Sequence, residues 1–233
     1  MQVFVGTSGW FYDWNPKRSL DWFVQNSGLN ALELNASFYR FPFPNQVKSW
    51  AVKGNSLRWA IKVSRVITHQ HLFSPPAYEL WTSFYRLFAP LDNLIDFYLF
   101  QLPPRLDITV RPKLTAFIKK TALGRRFALE CRNKTWFNPE TVNWAEKLGI
   151  TLVAIDAPDY PRTVFNTSGS IYLRLHGRTA WYRYRYSRQE LKTIAAAISQ
   201  LKPAAVYAFF NNDQDMLNNA RTLFKILKTN AGN

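Results

Sequence analysis

The sequence predicts an α/β protein built as a closed (β/α)8 barrel of the TIM type. Three observations predict it: eight short apolar runs of strand character, helix-period segments between most of them, and polar residues of chemical use where the runs end. An open doubly wound sheet is the alternative architecture. With 233 residues, 47% of them apolar, the chain has material for one core, and a single domain over 1–233 is expected.

The runs are VFVG (3–6), ALELN (31–35), RWAIKV (58–63), IDFYLFQ (95–101), FALECR (127–132), LVAID (152–156), IYLRLH (171–176) and VYAFFN (206–211). Ahead of the third, PNQVKSWAVKG places Val47, Trp50 and Ala51 on one helix face and stops at Gly54. NPETVNWAEKLG offers Asn138 as N-cap, Pro139 at the first helical position and Gly149 as the stop. SRQELKTIAAAISQL opens with a capping box, Ser187 to Glu190, and continues with Leu191, Ile194, Ala195, Ile198 and Leu201 on one face. A last helix aligns Met216, Leu217, Ala220, Leu223, Phe224 and Leu227. Between strands six and seven, APDYPRTVFNTSGS is too short and too rich in Pro, Gly and Ser for a proper helix, so the barrel is expected to be irregular there.

Thirty Lys and Arg face fifteen Asp and Glu, a net charge of +15, which favours an anionic substrate or a nucleic acid as partner. One cysteine, Cys131, excludes a disulfide framework and a Cys-based zinc site. No stretch reaches the length of a membrane span and the first residues lack the pattern of a leader, so a soluble, cytoplasmic protein is expected.

Barrel enzymes place their chemistry at the C-terminal ends of the strands. Here those ends carry Ser8 and Trp10; Glu33, Asn35 and Tyr39; Lys62 and His69; Gln101; Glu130, Arg132 and Trp136; Asp156; Arg174 and His176; and Asn211 with Asn212. Residues two apart on a strand share a face, so Glu33 goes with Asn35, Glu130 with Arg132 and Arg174 with His176. Cys131 has the opposite parity and should face the helices. Glu33, Glu130 and Asp156 in one mouth would repel one another and raise at least one pKa toward neutrality, while Lys62 and His176 are suited to proton transfer. The competing reading is an ion-pair network that holds the barrel top together. GTSGW lacks the pattern of a nucleophile elbow, so Ser8 reads as part of a turn that offers N–H groups to an anion. Trp10, Tyr12, Trp14, Tyr39 and Trp136 suit either stacking on sugars and bases or a hydrophobic lid.

RLHGRTAWYRYRYSR (174–188) divides in two. Arg174 and His176 end the seventh strand, and Arg178 begins a loop of the kind that binds phosphate in barrels. Beyond it Tyr182, Tyr184 and Tyr186 alternate with Arg183 and Arg185, which fits a nucleic-acid rim or a lid with its tyrosines packed down.

The segments GTSGWFYDW, ELNASFYRFP, KVSRVITH, QLPPRL, ALECRNKTWF, LRLHGR and FFNN, in this order, resemble the domain-of-unknown-function family 72, the YecE-like proteins. The resemblance implies a TIM-type barrel with these polar positions in a shared pocket, and it carries no activity with it. More distantly the barrel is similar to those of endonuclease IV and the xylose-isomerase type. Glu130, Asp156 and His176 echo the carboxylate, carboxylate, imidazole order of metal-dependent isomerase barrels, so a divalent metal on these three is a candidate cofactor. The pattern departs at strand eight, where Asn211 or Asn212 stands in place of an acid, and Arg132 and Arg174 would neutralise the carboxylates without a metal. Three histidines cannot build a trinuclear zinc site.

Three functions follow as expectations. The first is a hydrolase-type enzyme on a phosphorylated or nucleic-acid substrate. There Arg132, Arg174 and Lys62 hold the anion, Glu130 and Glu33 act as acid and base, and Asp156 orients His176. The second is a non-catalytic nucleic-acid-binding barrel, and the third a sugar isomerase or lyase.

Overall fold

A computed structural model describes residues 1–231. All eight runs are parallel strands: β1 (Gln2–Thr7), β2 (Ala31–Leu34), β3 (Arg58–Lys62), β4 (Ile95–Gln101), β5 (Phe127–Glu130), β6 (Thr151–Asp156), β7 (Ser170–Leu175) and β8 (Ala205–Phe210). They close in sequence order, and β8 pairs with β1 from Gln2↔Ala205 to Thr7↔Phe210, which excludes the open sheet. Helices α1 (Leu20–Asn26), α2 (Ala36–Tyr39), α3 (Pro44–Lys53), α4 (Pro75–Leu87), α5 (Arg111–Thr121), α6 (Pro139–Leu148), α7 (Arg188–Gln200) and α8 (Met216–Ala231) surround the ring. Among the described residues no helix is long and apolar enough to cross a membrane.

The helix ends follow local chemistry. Asn138 caps α6 by accepting the Thr141 N–H, and Gly149 ends it in the left-handed region at φ +65°. Ser187 and Glu190 form the reciprocal capping box of α7. α3 stops at Gly54 as expected, with that residue at φ −102°. One expectation is corrected. Leu201 lies one residue past α7 and is exposed, because the helix has already stopped where the apolar face would have continued.

No helix joins β6 to β7. Residues 157–169 run as an irregular crossover instead. Thr167 seals the outer edge of β6 by accepting the Leu152 N–H at 2.9 Å and donating to the Ile150 carbonyl at 2.7 Å.

Alternation sorts each strand into an outer face under the helices and an inner face. The inner set is Phe4, Ala31, Ala60, Phe97, Leu99, Ala128, Val153, Tyr172, Ala205, Tyr207 and Phe209. Inward alanines on β2, β3, β5 and β8 leave room for aromatics: Phe4 stacks on Tyr207 at 4.6 Å, and Phe97 meets Tyr172 and Tyr207. Gly6 is obligatory at the β1–β2 approach, since a Cβ there would lie 2.1 Å from the Ala31 carbonyl oxygen. The same parity continued upward ends in Glu33, Lys62, Gln101, Glu130 and Arg174, so a polar layer rests directly on an aromatic plug.

Candidate functional site

Arg174 organises that layer. It is fully buried between two fully buried carboxylates. Its Nε donates to Glu33 Oε2 at 2.9 Å, its Nη2 to Glu33 Oε1 at 2.7 Å and its Nη1 to Glu130 Oε2. Other donors reach both carboxylates as well. Ser8 Oγ and the Tyr172 hydroxyl each donate to Glu33 at 2.6 Å, while Gln101 Nε2 at 2.7 Å and Arg132 Nε donate to Glu130. Burial opposes ionisation of Glu130, but the Arg132 and Arg174 guanidiniums outweigh it and hold the carboxyl well below its ordinary range. Burial equally opposes the Arg174 charge, and Glu130 with Glu33 overcomes that and raises its pKa. The expected repulsion that lifts a carboxyl toward neutrality is therefore absent at Glu130. Glu33 accepts two hydrogen bonds on each oxygen and Glu130 two on Oε1 and one on Oε2, so both are engaged as counterions of arginine.

Above this layer lies a cavity of about 270 Å³, walled by Phe38, Tyr39, Tyr160, Trp181 and Tyr182 and lined by Lys62, Gln101, Arg132, Arg174, His176 and Asn211. Arg132 enters it from the residues after β5. Its Nε is spent on Glu130, its Nη2 approaches His176 Nε2 at 3.3 Å, and its guanidinium lies 4.7 Å over the Trp181 ring. Nη1 has no partner among the described residues, so Arg132 keeps donors for an anion. Arginine has no acceptor, so His176 Nε2 must supply the lone pair and Nδ1 carries the proton, and that buried N–H has no partner within the described residues. Burial first, and then Arg174 and Arg132, push the His176 pKa well below its ordinary value, which keeps the ring neutral.

Lys62 points up from the end of β3 with 8% of its surface exposed. Its Nζ sits 4.0 Å over the Phe38 ring and makes no hydrogen bond or salt bridge among the described residues. Burial, and then the charge of Arg174, lower its pKa from 10.5 to about 7. His69 stands behind Phe38, ring against ring at 5.1 Å, with Nδ1 2.8 Å from Thr68 Oγ1. Burial and then the Lys62 charge hold it down to about 4. Asn35 touches the layer from the side, 3.5 Å from Arg174 Nη2, and Tyr39 stands 70% exposed on the rim.

Several expected site residues lie elsewhere. Ile155, not Asp156, has the inner parity of β6, so Asp156 faces the helix layer. There it accepts from Arg178 at 2.9 Å and from the Tyr186 hydroxyl at 3.1 Å. It meets His176 only through its backbone carbonyl, which accepts the His176 N–H, so it does not orient the imidazole. The metal set Glu130, Asp156 and His176 fails for the same reason. One carboxylate is saturated by cations, another is on the wrong face, the imidazole lone pair meets a guanidinium, and among the described residues no three such ligands converge. The guanidinium of Arg178 is divided between Asp156 and Glu190 rather than left for phosphate. Ser8 cannot offer its N–H to an anion, because that N–H donates to the Phe210 carbonyl at 2.8 Å. Trp10 packs edge-on against Trp50 and Trp59, and Trp136 is buried with Nε1 on the Leu106 carbonyl, so both belong to the core.

The 177–186 loop brings Trp181 and Tyr182 to the cavity wall, with Tyr182 41% exposed. Tyr186 is buried and its hydroxyl accepts the Gly177 N–H at 2.9 Å, Tyr184 donates to Glu190, and Arg183 and Arg185 face solvent. Gly177, at φ +108°, makes the turn, because a Cβ would lie 2.5 Å from both the Ala180 oxygen and Tyr184 Cβ.

The family model that matches this chain covers residues 4–233 and is described as a protein of unknown function, DUF72. The chain belongs to that family. It is similar to the UPF0759 protein YunF of Bacillus subtilis (strain 168), 25% identical over 268 aligned residues that cover 97% of this chain and 94% of YunF. A DUF72 family crystal structure from Enterococcus faecalis V583 is 22% identical, covers 97% of this chain and 96% of its own, and superposes with a TM-score of 0.83. The distant similarity of this barrel to a sugar-epimerase barrel is one of fold alone. D-psicose 3-epimerase from Clostridium cellulolyticum H10 is 14% identical, covers 100% of this chain and 97% of its own, and has a TM-score of 0.53.

Sequence reasoning missed Tyr172, Trp181 and Tyr160. Tyr172 lies two residues before Arg174, so the parity rule that paired Arg174 with His176 reaches it too. Trp181 and Tyr160 come from loops, where no period assigns a direction.

Proposed function

We propose that this DUF72 protein is an enzyme that binds a small, oxygen-rich anion in the cavity above the Glu33–Arg174–Glu130 layer. Arg132 holds the anionic group, Trp181 and Phe38 flank the carbon skeleton, and Gln101 and Asn211 meet its hydroxyls. Lys62 and His176 are the proton-handling groups. One observation carries this reading: Arg132 keeps unpaired donors inside a 270 Å³ cavity whose carboxylates are all spoken for. That size suits a sugar phosphate or a comparable acid better than a nucleic-acid strand. Hydrolysis by a carboxylate-activated water would call for a free carboxylate, and Glu33, Glu130 and Asp156 are each paired with an arginine. A sugar isomerase or lyase reaction is therefore favoured over a hydrolytic one.

Thermal unfolding with inorganic phosphate and a panel of sugar phosphates tests the reading. Ligands should raise the Tm and perturb Trp181 fluorescence in the wild-type protein, and both responses should disappear in Arg132→Gln. Oligonucleotides that perturb Trp181 where small phosphates do not would favour the nucleic-acid reading instead.

A further inference from the structure

Lys62 is an anomaly in a layer where every other charge is matched. Its amine is almost enclosed, opens only on the cavity, and has no acceptor among the described residues. The groups that could serve as counterions are taken. Glu33 accepts from Ser8, Tyr172 and Arg174, and Glu130 accepts from Gln101, Arg132 and Arg174. On the side of β2 and α2 it meets Glu33 and the Phe38 ring, and from β3 onward it has His69 as neighbour. From β5 and β7 it faces Glu130 with the positive charges of Arg132 and Arg174, the glutamates only partly offsetting burial and Arg174. A lysine that served only as a structural cation would be expected to hold a carboxylate. A lysine desolvated beside other cations has its lone pair available at neutral pH, the state that imine-forming enzymes prepare.

We propose that Lys62 is the nucleophile of the cavity and forms an imine with the carbonyl carbon of a small aldehyde or ketone whose anionic group rests on Arg132. The Nζ lone pair attacks the carbonyl carbon, and the C=O π pair moves to oxygen. Amine protons pass to that oxygen, which leaves as water as the C=N bond forms. One amine and one carbonyl thus give one imine and one water, with no oxidant, reductant or further reactant. Protonated, the imine is an electron sink for deprotonation or carbon–carbon cleavage at the neighbouring carbon, which is isomerase or lyase chemistry. The inference rests on the proposed anion site but fails separately from it.

The test is reductive trapping of the wild-type protein with glycolaldehyde phosphate and sodium cyanoborohydride, read by intact mass and peptide mapping, with unphosphorylated glycolaldehyde in parallel. At pH 7 labelling at Lys62 should exceed that at any other lysine by about tenfold or more, because ordinary lysines stay protonated there. Its rate should rise through a midpoint near pH 7, the value to which the amine is lowered. Excess inorganic phosphate should suppress the phosphorylated probe more than the neutral one. Mass spread over surface lysines with Lys62 unmodified overturns the proposal, and phosphate-dependent thermal protection in the same sample would then leave the anion site standing. Labelling of Lys62 by both probes with no effect of phosphate keeps the nucleophile and removes the anion site. Lys62→Met, checked for folding by circular dichroism, should lose the fast-labelled peptide, and persistence of a single fast adduct elsewhere also overturns the assignment.

Discussion

Arg174 can be buried at the top of an aromatic plug because Glu33 and Glu130 accept from all three of its nitrogens in two directions. Removing the centre leaves the buried Glu33 with no cation and Glu130 with Arg132 alone. Arg174→Met is expected to cost about 3–5 kcal/mol, the usual penalty for breaking a buried ion pair from one side, measured as a fall in the denaturant midpoint with an unchanged m-value. Lys62 behaves in the opposite sense. Its folded pKa, about 7, lies below the 10.5 of the free side chain, so between those values the unfolded chain binds more protons and stability rises with pH. Lys62→Met should therefore be more stable than wild type by on the order of 2–4 kcal/mol below pH 7, and the gap should close as pH climbs toward the lysine's unfolded value. Denaturant titrations across that range would show a constant gap if burial of the amine carried no electrostatic cost.

At the level of the element, the 177–186 loop depends on one residue that can turn. Gly177 takes a positive φ with no room for a Cβ, and its N–H is held by Tyr186. Gly177→Ala should destabilise the fold by about 1–3 kcal/mol through strain and, by lifting Trp181 off Arg132, weaken phosphate binding several-fold in fluorescence titration. Strand ends were also where the sequence was most legible. A period of two is rigid, so IYLRLH and FALECR tell which side chains share a mouth as soon as one is placed. That rule brought Glu33, Glu130, Arg132, Arg174 and His176 together without coordinates, and it put Cys131 on the helix side. It failed at Asp156, where a polar residue at a strand end was read as inward although its parity was not tied to a known inner neighbour. It had no purchase on Arg178 or Trp10, whose directions are fixed by loop turns and by partners distant in sequence. Nor can a list of charges reveal saturation. Whether a glutamate is a base or a counterion depends on how many donors surround it, and that is a property of the assembled ring.

Across the whole molecule, the ring is unevenly laced. β8 and β1 pair at every position from Gln2↔Ala205 to Thr7↔Phe210, and β7 and β8 from Ser170↔Ala205 to Leu175↔Phe210. β5 and β6 share only Ala128↔Thr151 and Leu129↔Leu152, next to the crossover that lacks a helix. The β1–β2 contact is equally brief, but Asn30 bridges it, accepting from the Val5 N–H and donating to the Val3 carbonyl. Closed rings yield at their thinnest joint, so solvent deuterium should reach the amides of 128–129 and 151 at least about tenfold sooner than those of 206–209. Uniform protection around the ring would refute this. The joint lies beneath Glu130 and Arg132, so breathing there transiently unclasps the counterion of Arg174 and the arm over the cavity together. Access to the cavity would then be timed by a seam in the wall as well as by the loop above it.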